Sequence, residues 1–222
     1  MKFNETKQHM KILSTLLFCL FSAVSFSQDV AILKYQGGGD WYGNPTALPN
    51  LVRFCNENID TKINPKVETV EVSSTDIFQY PFLHMTGHGN VFFSDSDIEN
   101  LRNYLTSGGF LHIDDNYGMQ PYLVKELKKV FPNKELIELP ANHPIFSTAF
   151  SFPKGLPKIH EHNGKRPQAF GLFEKDRLIL LFTFESDLGD GWEDPEVHND
   201  PADVREKALK MGANIVKYVF EN

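Results

Sequence analysis

The residues best suited to chemistry are one histidine and two aspartates that follow predicted strands. His88 lies between two glycines in residues 86–90, and Asp114 and Asp115 follow the apolar residues 110–113. Imidazole titrates near neutral pH, so His88 is the candidate general base. Two nearby carboxylates can separate their pKa values and act as acid and base, or bind a cation. We therefore take His88, Asp114 and Asp115 as the candidate catalytic residues.

Each of these residues also has a structural alternative. His88 could fix the glycine loop through hydrogen bonds, and the two aspartates could serve as a helix cap and a solvated carboxylate. Side chains alternate along a strand, so Asp114 and Asp115 should point to opposite faces of the sheet. His112 shares a face with Asp114, and we expect it to be a hydrogen-bonded core histidine.

Four segments rich in glycine or acidic residues directly follow predicted strands, at residues 37–43, 86–90, 114–118 and 185–192. In a parallel sheet the carboxyl ends of the strands share one edge, so these segments should meet in one cleft. Aromatic side chains in such loops suit stacking on a sugar or another ring, although they also serve as lids on a core. The candidate ligand-binding residues are Gly38, Gly39, Asp40, Trp41, Tyr42, Thr86, Gly87, Gly89, Asn90, Asn116, Tyr117, Asp187, Asp190 and Trp192.

A divalent metal is the one cofactor that the sequence suggests. His160 and His162 flank Glu161, and nearby acidic residues could add oxygen ligands. A His-x-His pair alone is not specific, because it lacks the spacing of HExxH or paired CxxC motifs. His160, Glu161 and His162 are therefore candidate ligands, and whether they reach the main cleft stays open.

Several well-known sites are excluded by their motifs. Residues 37–39 are consecutive glycines and do not match G-x-G-x-x-G. Gly38 and Gly43 have P-loop spacing, but Asn44 and Pro45 stand where a P-loop has Lys and Ser or Thr. The chain also lacks a G-x-S-x-G elbow. Nucleotide binding through these motifs and serine-hydrolase chemistry are not expected.

The order of elements predicts an α/β fold. Strands are expected at residues 29–35, 67–72, 81–85, 110–113 and 135–139, with helices between most of them. The pattern then changes to a hairpin at residues 170–174 and 177–184. A last helix follows, with Asp200 as its cap and Pro201 at its first position. We predict a three-layer sandwich with a mostly parallel sheet, a C-terminal β-hairpin and a C-terminal helix.

The N-terminus has the features of a signal peptide. Lys2, Lys7 and Lys11 precede an uncharged apolar run that is too short to span a bilayer comfortably. Ser25 and Ser27 occupy the small-residue positions of a cleavage site before Gln28. We predict a signal peptide at residues 1–27 and a single domain at residues 28–222. An uncleaved anchor is the alternative, and the start at Met1 or Met10 stays open.

Net charge and cysteine content limit the kinds of partner and the covalent cross-links that the protein can have. Cleavage would leave 19 basic and 28 acidic residues, a formal net charge of −9. Such a chain has no electrostatic footprint for nucleic acid or anionic lipid. Cys55 alone would remain, so an intrachain disulfide is impossible. We expect a periplasmic or secreted protein with a small-molecule ligand, no nucleic acid and no stable membrane span; the oligomeric state stays open.

Six motifs taken together resemble the bacterial family known as domain of unknown function 4159. They are GGGDWY, YPFLHMTGHGN, LRNYLTSGGFLHIDDNYG, ELPANHPIF, LPKIHEH and ESDLGDGW. The resemblance extends over residues 29–220. It implies a three-layer α/β domain similar to class I glutamine amidotransferases and trehalose-utilisation-like proteins, and it implies no established activity.

The resemblance to amidotransferases has one departure. Those enzymes place a nucleophilic cysteine on a sharp strand-to-helix turn, whereas residues 86–90 contain no cysteine and Cys55 lies on a predicted helix face. Thioester chemistry is therefore not expected. Two hypotheses follow. The first is a hydrolase-like enzyme that acts on a small polar, for example carbohydrate-derived, molecule. The second is a non-catalytic ligand-binding or assembly module of the cell envelope.

Overall fold

The computed structural model describes residues 29–222, so the predicted signal peptide lies outside the described residues. Within residues 29–222, no helix combines the length and the apolar character needed to cross a membrane.

Strands and helices alternate through the first half of the described chain. The strands are β1 (Val30–Lys34), β2 (Glu68–Glu71), β3 (Phe82–His88), β4 (Phe110–Tyr117), β5 (Ile137–Glu138), β6 (Gln168–Glu174) and β7 (Arg177–Phe184). The helices are α1 (Ala47–Asn58), α2 (Asp95–Thr106), α3 (Gln120–Val130), α4 (Leu188–Trp192), α5 (Pro195–His198) and α6 (Ala202–Glu221). Short 3₁₀ turns lie at Thr75–Gln79 and Pro144–Phe146.

The described strands form one sheet in the order β2-β1-β3-β4-β7-β6-β5. The pairings from β2 through β7 are parallel, while β6 and β5 run antiparallel to their neighbours. The strand order reverses between β1 and β3, and in open α/β sheets ligands bind outside the carboxyl ends of the strands at such a point. The sheet thus directs attention to the loops after β1, β3 and β4.

Helices cover both faces of the sheet, as the predicted three-layer sandwich requires. The apolar faces of α2 and α3, which include Leu101 and Leu123, pack on one face of the sheet. The stripes of α1 and α6, which include Leu51 and Met211, pack on the other. Burial of each such side chain contributes roughly 1.5–3 kcal/mol relative to exposure. The predicted fold class is confirmed, including the C-terminal hairpin and helix.

Two strands continue further than the apolar pattern predicted. β3 runs to His88 and β4 to Tyr117, so the predicted glycine and aspartate loops partly belong to the sheet. The parallel ladder explains the extension, because Thr86 pairs with Asp114 and Gly87 with Asp115 before a register shift. Backbone pairing to a neighbouring strand outweighed the local turn propensity of glycine and aspartate.

Two helix starts, those of α1 and α6, lack a side-chain cap, and the second of them differs from prediction. The last helix begins at Ala202, and Pro201 precedes it rather than occupying its first position. The carboxylate of Asp200 does not cap this helix and instead contacts the ring of His160. Thr46 does precede α1, but its hydroxyl contacts Glu193 and makes no cap hydrogen bond. Both side chains are used for tertiary contacts, which sequence spacing does not reveal.

Candidate functional site

The polar residues that follow the strands meet at one edge of the sheet. Thr86 on β3 is the register partner of Asp114 on β4, and His88 is the partner of Tyr117. Thr183 near the end of β7 pairs with Asp114 from the other side. Because these strands are parallel, their polar ends lie side by side at the carboxyl edge.

Asp114 is fully buried at this edge, on the face that α1 and α6 cover. One carboxylate oxygen accepts from the Thr183 hydroxyl, and the other accepts from the backbone N–H of Gly189 at 2.6 Å. Burial raises the pKa of Asp114 to about 7, even though both hydrogen bonds favour the charged form. Asp114 is therefore buried at the carboxyl edge of the sheet, and both of its oxygens bind neighbouring segments, β7 and α4.

Asp115 points to the opposite face, as strand alternation predicts. Its carboxylate accepts from the backbone N–H groups of Met119 at 2.8 Å and Gln120 at 3.0 Å. These are unpaired donors at the start of α3, so Asp115 caps that helix. Burial raises the pKa of Asp115. Its observed contacts are those of a structural cap, and they leave a catalytic role for it without support.

A chain of amides and hydroxyls surrounds Asp114 on its face. The Thr86 hydroxyl donates to Asn116 Oδ1 at 2.8 Å, and Asn116 donates to Asn44 Oδ1 at 2.5 Å. Asn44 in turn donates to Asp190 at 2.6 Å. The sequence shows Asn44 only as a departure from the P-loop pattern. In the structure it links β3, β4 and α4 through hydrogen bonds. Its role depends on long-range contacts and left no signal in the sequence.

Asp187 occupies the turn from β7 into α4 with its side chain fully buried. Its backbone is left-handed, with φ 61°, and Glu185 two residues earlier has φ 57°. Non-glycine residues in this region occur where the surrounding structure holds them, often at functional sites. Asp187 Oδ2 lies 2.5 Å from Nε2 of His162, whereas Oδ1 has no hydrogen-bond partner among the described residues.

Burial is the main influence on the Asp187 carboxyl. Burial and then the neighbouring carboxylates of Asp114 and Asp190 raise the pKa of Asp187, to about 9. The 2.5 Å separation between Asp187 Oδ2 and His162 Nε2 is that of a short hydrogen bond. The His162 ring also packs against Tyr117, with ring centroids 4.7 Å apart.

His88 forms a second imidazole–carboxylate pair, with Asp40. Its Nδ1 lies 3.0 Å from Asp40 Oδ2, and its backbone N–H donates to Asp40 Oδ1 at 2.5 Å. Burial of Asp40 opposes ionisation, but the two hydrogen bonds from His88 outweigh it and lower the pKa of Asp40. Asp40 can approach because Gly87 has no side chain: a Cβ there would overlap Tyr35 Oη and crowd Asp40.

The glycine loops present backbone rather than side chains. Gly39 donates its N–H to the carbonyl of Asn90 at 3.0 Å, which ties the loop after β1 to the loop after β3. Gly38 and Gly89 have positive φ values of 88° and 66°, with open space where a Cβ would stand. The side chain of Asn90 is exposed.

The aromatic candidates divide into two groups. Tyr42 and Tyr117 are 65% and 48% exposed, and Trp41 is half-buried in edge contact with Tyr42. Trp192 has no exposed surface: it packs against two core histidines and donates its indole N–H to Ala208 O at 2.8 Å. Trp192 is thus a core residue in the structure, which corrects its assignment to the ligand site. Its position in α4 rather than in a loop is the reason.

The His-x-His segment does not act as one chelating unit. Glu161 accepts from the backbone N–H of Gly164 at 2.6 Å, while its two neighbours contact different carboxylates. His160 lies between Asp190 and Asp200, and its hydrogen bonds to Asp190 and then Asp200 raise its pKa to about 9. Both histidines do reach the carboxyl edge of the sheet, a question that the sequence left open.

Two predicted core residues lie where expected. His112 contacts the Thr183 hydroxyl at 3.1 Å and His84 at 3.1 Å, and burial lowers the pKa of both imidazoles, that of His84 to about 3. Cys55 is buried on α1, and burial raises its thiol pKa to about 12. A thiolate nucleophile at this position is disfavoured.

Comparison with known proteins identifies the family. The family model described as Domain of unknown function (DUF4159) matches residues 29–220, which is nearly all of the described chain. No curated protein matches the sequence. The chain therefore belongs to the DUF4159 family, as its motifs predicted.

Proposed function

We propose that this member of the DUF4159 family is an exported, hydrolase-like enzyme that acts on a small polar molecule at the carboxyl ends of the parallel strands. One observation carries the proposal. Nε2 of the half-exposed His162 is held at 2.5 Å by the buried carboxylate of Asp187. An imidazole oriented by a carboxylate, with its second nitrogen left for substrate or water, is the arrangement of a general base.

The second nitrogen of His162 is available for this role. No hydrogen bond within residues 29–222 involves its Nδ1, and 29% of the side chain is exposed. In the proposed step, Asp187 is ionised and His162 carries its proton on Nε2; Nδ1 then takes a proton from a water molecule that attacks the substrate, and the Asp187 carboxylate stabilises the imidazolium. Because the pKa of Asp187 is raised to about 9, this form of the pair prevails only above that pH. Asp114 is a positioning residue, because it holds the turn that carries Asp187 through the Gly189 N–H.

In this proposal His88 is the second acid–base residue. His88 is the cross-strand partner of Tyr117, and the Tyr117 ring packs against His162. Asp40 holds Nδ1 of His88, so Nε2 is the nitrogen that could transfer a proton. In the proposed step, His88 gives a proton to the leaving group. Acid–base groups of this kind each contribute about 10²–10⁴-fold to a rate.

The exposed aromatic side chains of Tyr42 and Tyr117, here called the aromatic rim, suggest the class of substrate. Tyr42 and Tyr117 expose large ring surfaces beside the polar groups. Aromatic rings next to hydrogen-bonding groups suit the apolar faces and hydroxyls of a sugar ring. A carbohydrate-derived molecule is therefore the substrate class that we would test first.

A second candidate function is a non-catalytic ligand-binding or assembly module of the cell envelope. One observation favours it: several carboxylates at the edge are already engaged in structural hydrogen bonds. Asp115 caps α3, and both oxygens of Asp114 accept hydrogen bonds. In such a module, the same aromatic rim would bind a ligand without reacting with it.

A substrate panel separates the two candidates. Purified protein is incubated with 4-nitrophenyl glycosides, 4-nitrophenyl phosphate and 4-nitrophenyl acetate, and thermal shifts are recorded with the corresponding sugars. The enzyme hypothesis expects release of 4-nitrophenol that falls at least about 100-fold in His162→Ala. Thermal shifts without hydrolysis, with wild-type and His162→Ala protein alike, would favour the binding module.

His143→Asn serves as the matched control for this experiment. His143 lies away from the cleft and caps the 3₁₀ turn at Pro144–Phe146 through its ring. Asparagine keeps a cap acceptor while it removes an imidazole. Equal loss of activity in His143→Asn and His162→Ala would contradict the proposed role of His162.

A further inference from the structure

A second cluster of titratable side chains lies beside the His162–Asp187 pair. His160, Asp190 and His198 each offer one ligand atom, and these atoms all lie within 4.8 Å of one another. We infer that this cluster binds one divalent first-row transition-metal ion, of the zinc type. The inference deepens the proposed function and rests on it in one respect, that both use the same cleft. Metal binding can be measured without turnover, so the two are tested separately.

The three residues come from separate segments of the chain. His160 lies in the irregular segment before β6, Asp190 lies in α4, and His198 ends α5. Asp190 Oδ2 lies 3.1 Å from His160 Nδ1, and Asp190 Oδ1 lies 3.7 Å from His198 Nε2. The centroids of the two imidazole rings are 5.2 Å apart. A small shift of each side chain opens a common coordination position between them.

Further carboxylates and an amide orient the candidate ligands. Asp200 binds Nε2 of His160 at 2.9 Å, so Nδ1 is turned toward Asp190. Asn44 donates to Asp190 Oδ1 at 2.6 Å, and Glu193 Oε2 lies 3.4 Å from the His198 ring. His160 is held as metal-ligating histidines almost always are, with its other ring nitrogen on a carboxylate or carbonyl. In His198, by contrast, Glu193 faces Nε2, the nitrogen that also faces Asp190.

An independent observation points to a missing partner at the same place. Asp187 is fully buried, and its Oδ1 makes no hydrogen bond among the described residues. The other oxygen of this carboxylate lies 3.9 Å from His160 Nδ1, so Asp187 borders the cluster. A buried carboxylate oxygen without a partner is costly, on the order of 1–3 kcal/mol or more. A cation bound in the cluster would lie near this carboxylate, whose Oδ2 is 3.9 Å from His160 Nδ1, and would stabilise its ionised form.

The donor set selects the class of cation. Two imidazoles with one or more carboxylates suit Zn²⁺, Mn²⁺, Fe²⁺ or Co²⁺. Mg²⁺ and Ca²⁺ prefer all-oxygen sites, which this cluster is not. The competing explanation is that a proton alone, held on His160 between Asp190 and Asp200, balances the carboxylates. The two explanations differ in whether a metal displaces that proton.

Calorimetry and elemental analysis test the inference on untagged protein. Protein treated with EDTA and dialysed is titrated with ZnCl₂, MnCl₂ or MgCl₂, and cobalt-loaded protein is examined by visible absorption. We expect one Zn²⁺ per chain, release of protons on binding, weak or absent Mg²⁺ binding, and Co²⁺ absorption bands. His198→Ala should weaken Zn²⁺ binding at least about 10–100-fold. His143→Asn is the control and should bind Zn²⁺ as the wild type does.

Two variants, His198→Ala and Asp190→Asn, allow loss of metal binding to be distinguished from loss of folding. The His198 side chain is 30% exposed at the end of a short helix, so His198→Ala should fold, and circular dichroism checks that it does. Asp190→Asn is the second variant, since asparagine can still accept from Asn44. Absence of Zn²⁺ binding by the wild type, or equal affinity in wild type, His198→Ala and Asp190→Asn, would overturn the inference.

Failure of this inference and failure of the proposed function give different results. Stoichiometric Zn²⁺ binding by protein that hydrolyses none of the 4-nitrophenyl compounds supports the metal site and contradicts the enzyme. Hydrolysis that survives EDTA in protein that binds no Zn²⁺ supports the enzyme and contradicts the metal site.

Discussion

The two imidazole–carboxylate pairs at the rim differ in how they are supported. His88 and Asp40 lie at glycine-rich segments, and their side chains are 54% and 34% exposed. Asp187 is fully buried, and only His162 of that pair reaches solvent. The exposed pair is screened by water and contributes little energy. The buried pair confines a carboxylate to a dry site, where its interaction with the imidazole is much stronger.

The effect of burial on the carboxyl pKa differs between Asp40 and Asp187. For Asp40, hydrogen bonds from His88 prevail over burial and lower the pKa, so this carboxylate is ionised at neutral pH. For Asp187, burial prevails and raises the pKa to about 9. Two carboxyl groups whose pKa values are separated by their surroundings are suited to different acid–base tasks. In the proposed mechanism, the demanding proton transfer takes place on the His162 side.

The largest expected effect is on catalysis. His162→Ala should lower kcat/KM for any hydrolysed 4-nitrophenyl compound at least about 100-fold, because it removes the proposed base. His88→Ala should lower it less, about 10-fold, because water can protonate a good leaving group such as 4-nitrophenolate. Steady-state kinetics measure both values. A larger loss in His88→Ala than in His162→Ala would reverse the assignment.

A glycine substitution tests the support of the exposed pair. At Gly87, with φ 140°, a Cβ would overlap Tyr35 Oη and approach Asp40. Gly87→Ala should therefore lower the free energy of unfolding by about 3 kcal/mol through strain and displaced neighbours. Gly89→Ala is the matched control, because its φ is also positive but the space is open; strain alone should cost about 1 kcal/mol. Urea unfolding measures both, and equal effects would contradict the close approach of Asp40.

The pH dependence of stability tests the buried side. The pKa of Asp114 is about 7 in the folded protein and about 3.9 in an unfolded chain. Between these values the folded state binds more protons, so stability should fall as pH rises from about 4 to 7. Each unit of raised pKa contributes about 1.4 kcal/mol to this loss. Asp114→Asn should flatten the slope in urea unfolding with EDTA present; an unchanged slope would contradict the buried environment of Asp114.

The smallest effect is spectroscopic. Asp40 contacts Nδ1 of His88, whereas Asp187 contacts Nε2 of His162. When neutral, His88 should therefore carry its proton on Nδ1 and His162 on Nε2. Nitrogen-15 NMR above pH 9, beyond the pKa of Asp187, distinguishes the two tautomers. Identical tautomers for both residues would show that at least one carboxylate does not hold its ring.

The fold and the edge of the sheet could be predicted from the sequence because they depend on local patterns. Apolar strands alternate with amphipathic helices, and segments rich in glycine and acids follow the strands. Parallel strands then place those segments together. Ser94 and Asp97, spaced three residues apart, form a capping box at the start of α2. Asp114 and Asp115 separate to opposite faces because side chains alternate along β4.

The partners within the site could not be predicted, since they join distant parts of the chain. Asn44 contacts Asp190 across 146 residues, and His160 contacts Asp200 across 40. His198 gave no signal, because it stands alone between Val197 and Asn199 and belongs to no motif. Trp192 was wrongly assigned to a ligand-binding loop because residues 185–192 are rich in glycine and acidic residues. The structure forms a five-residue helix there, and only the fold shows that the Trp192 side chain faces inward.

The most direct test of the central claim is a double-mutant cycle on His162 and Asp187. If the buried carboxylate acts through the imidazole, then Asp187→Asn should add little to the loss of kcat/KM in His162→Ala, and the double variant should match the worse single variant. Losses that multiply, so that the double variant is slower by the product of both single effects, would show that the two residues act separately and would contradict the account.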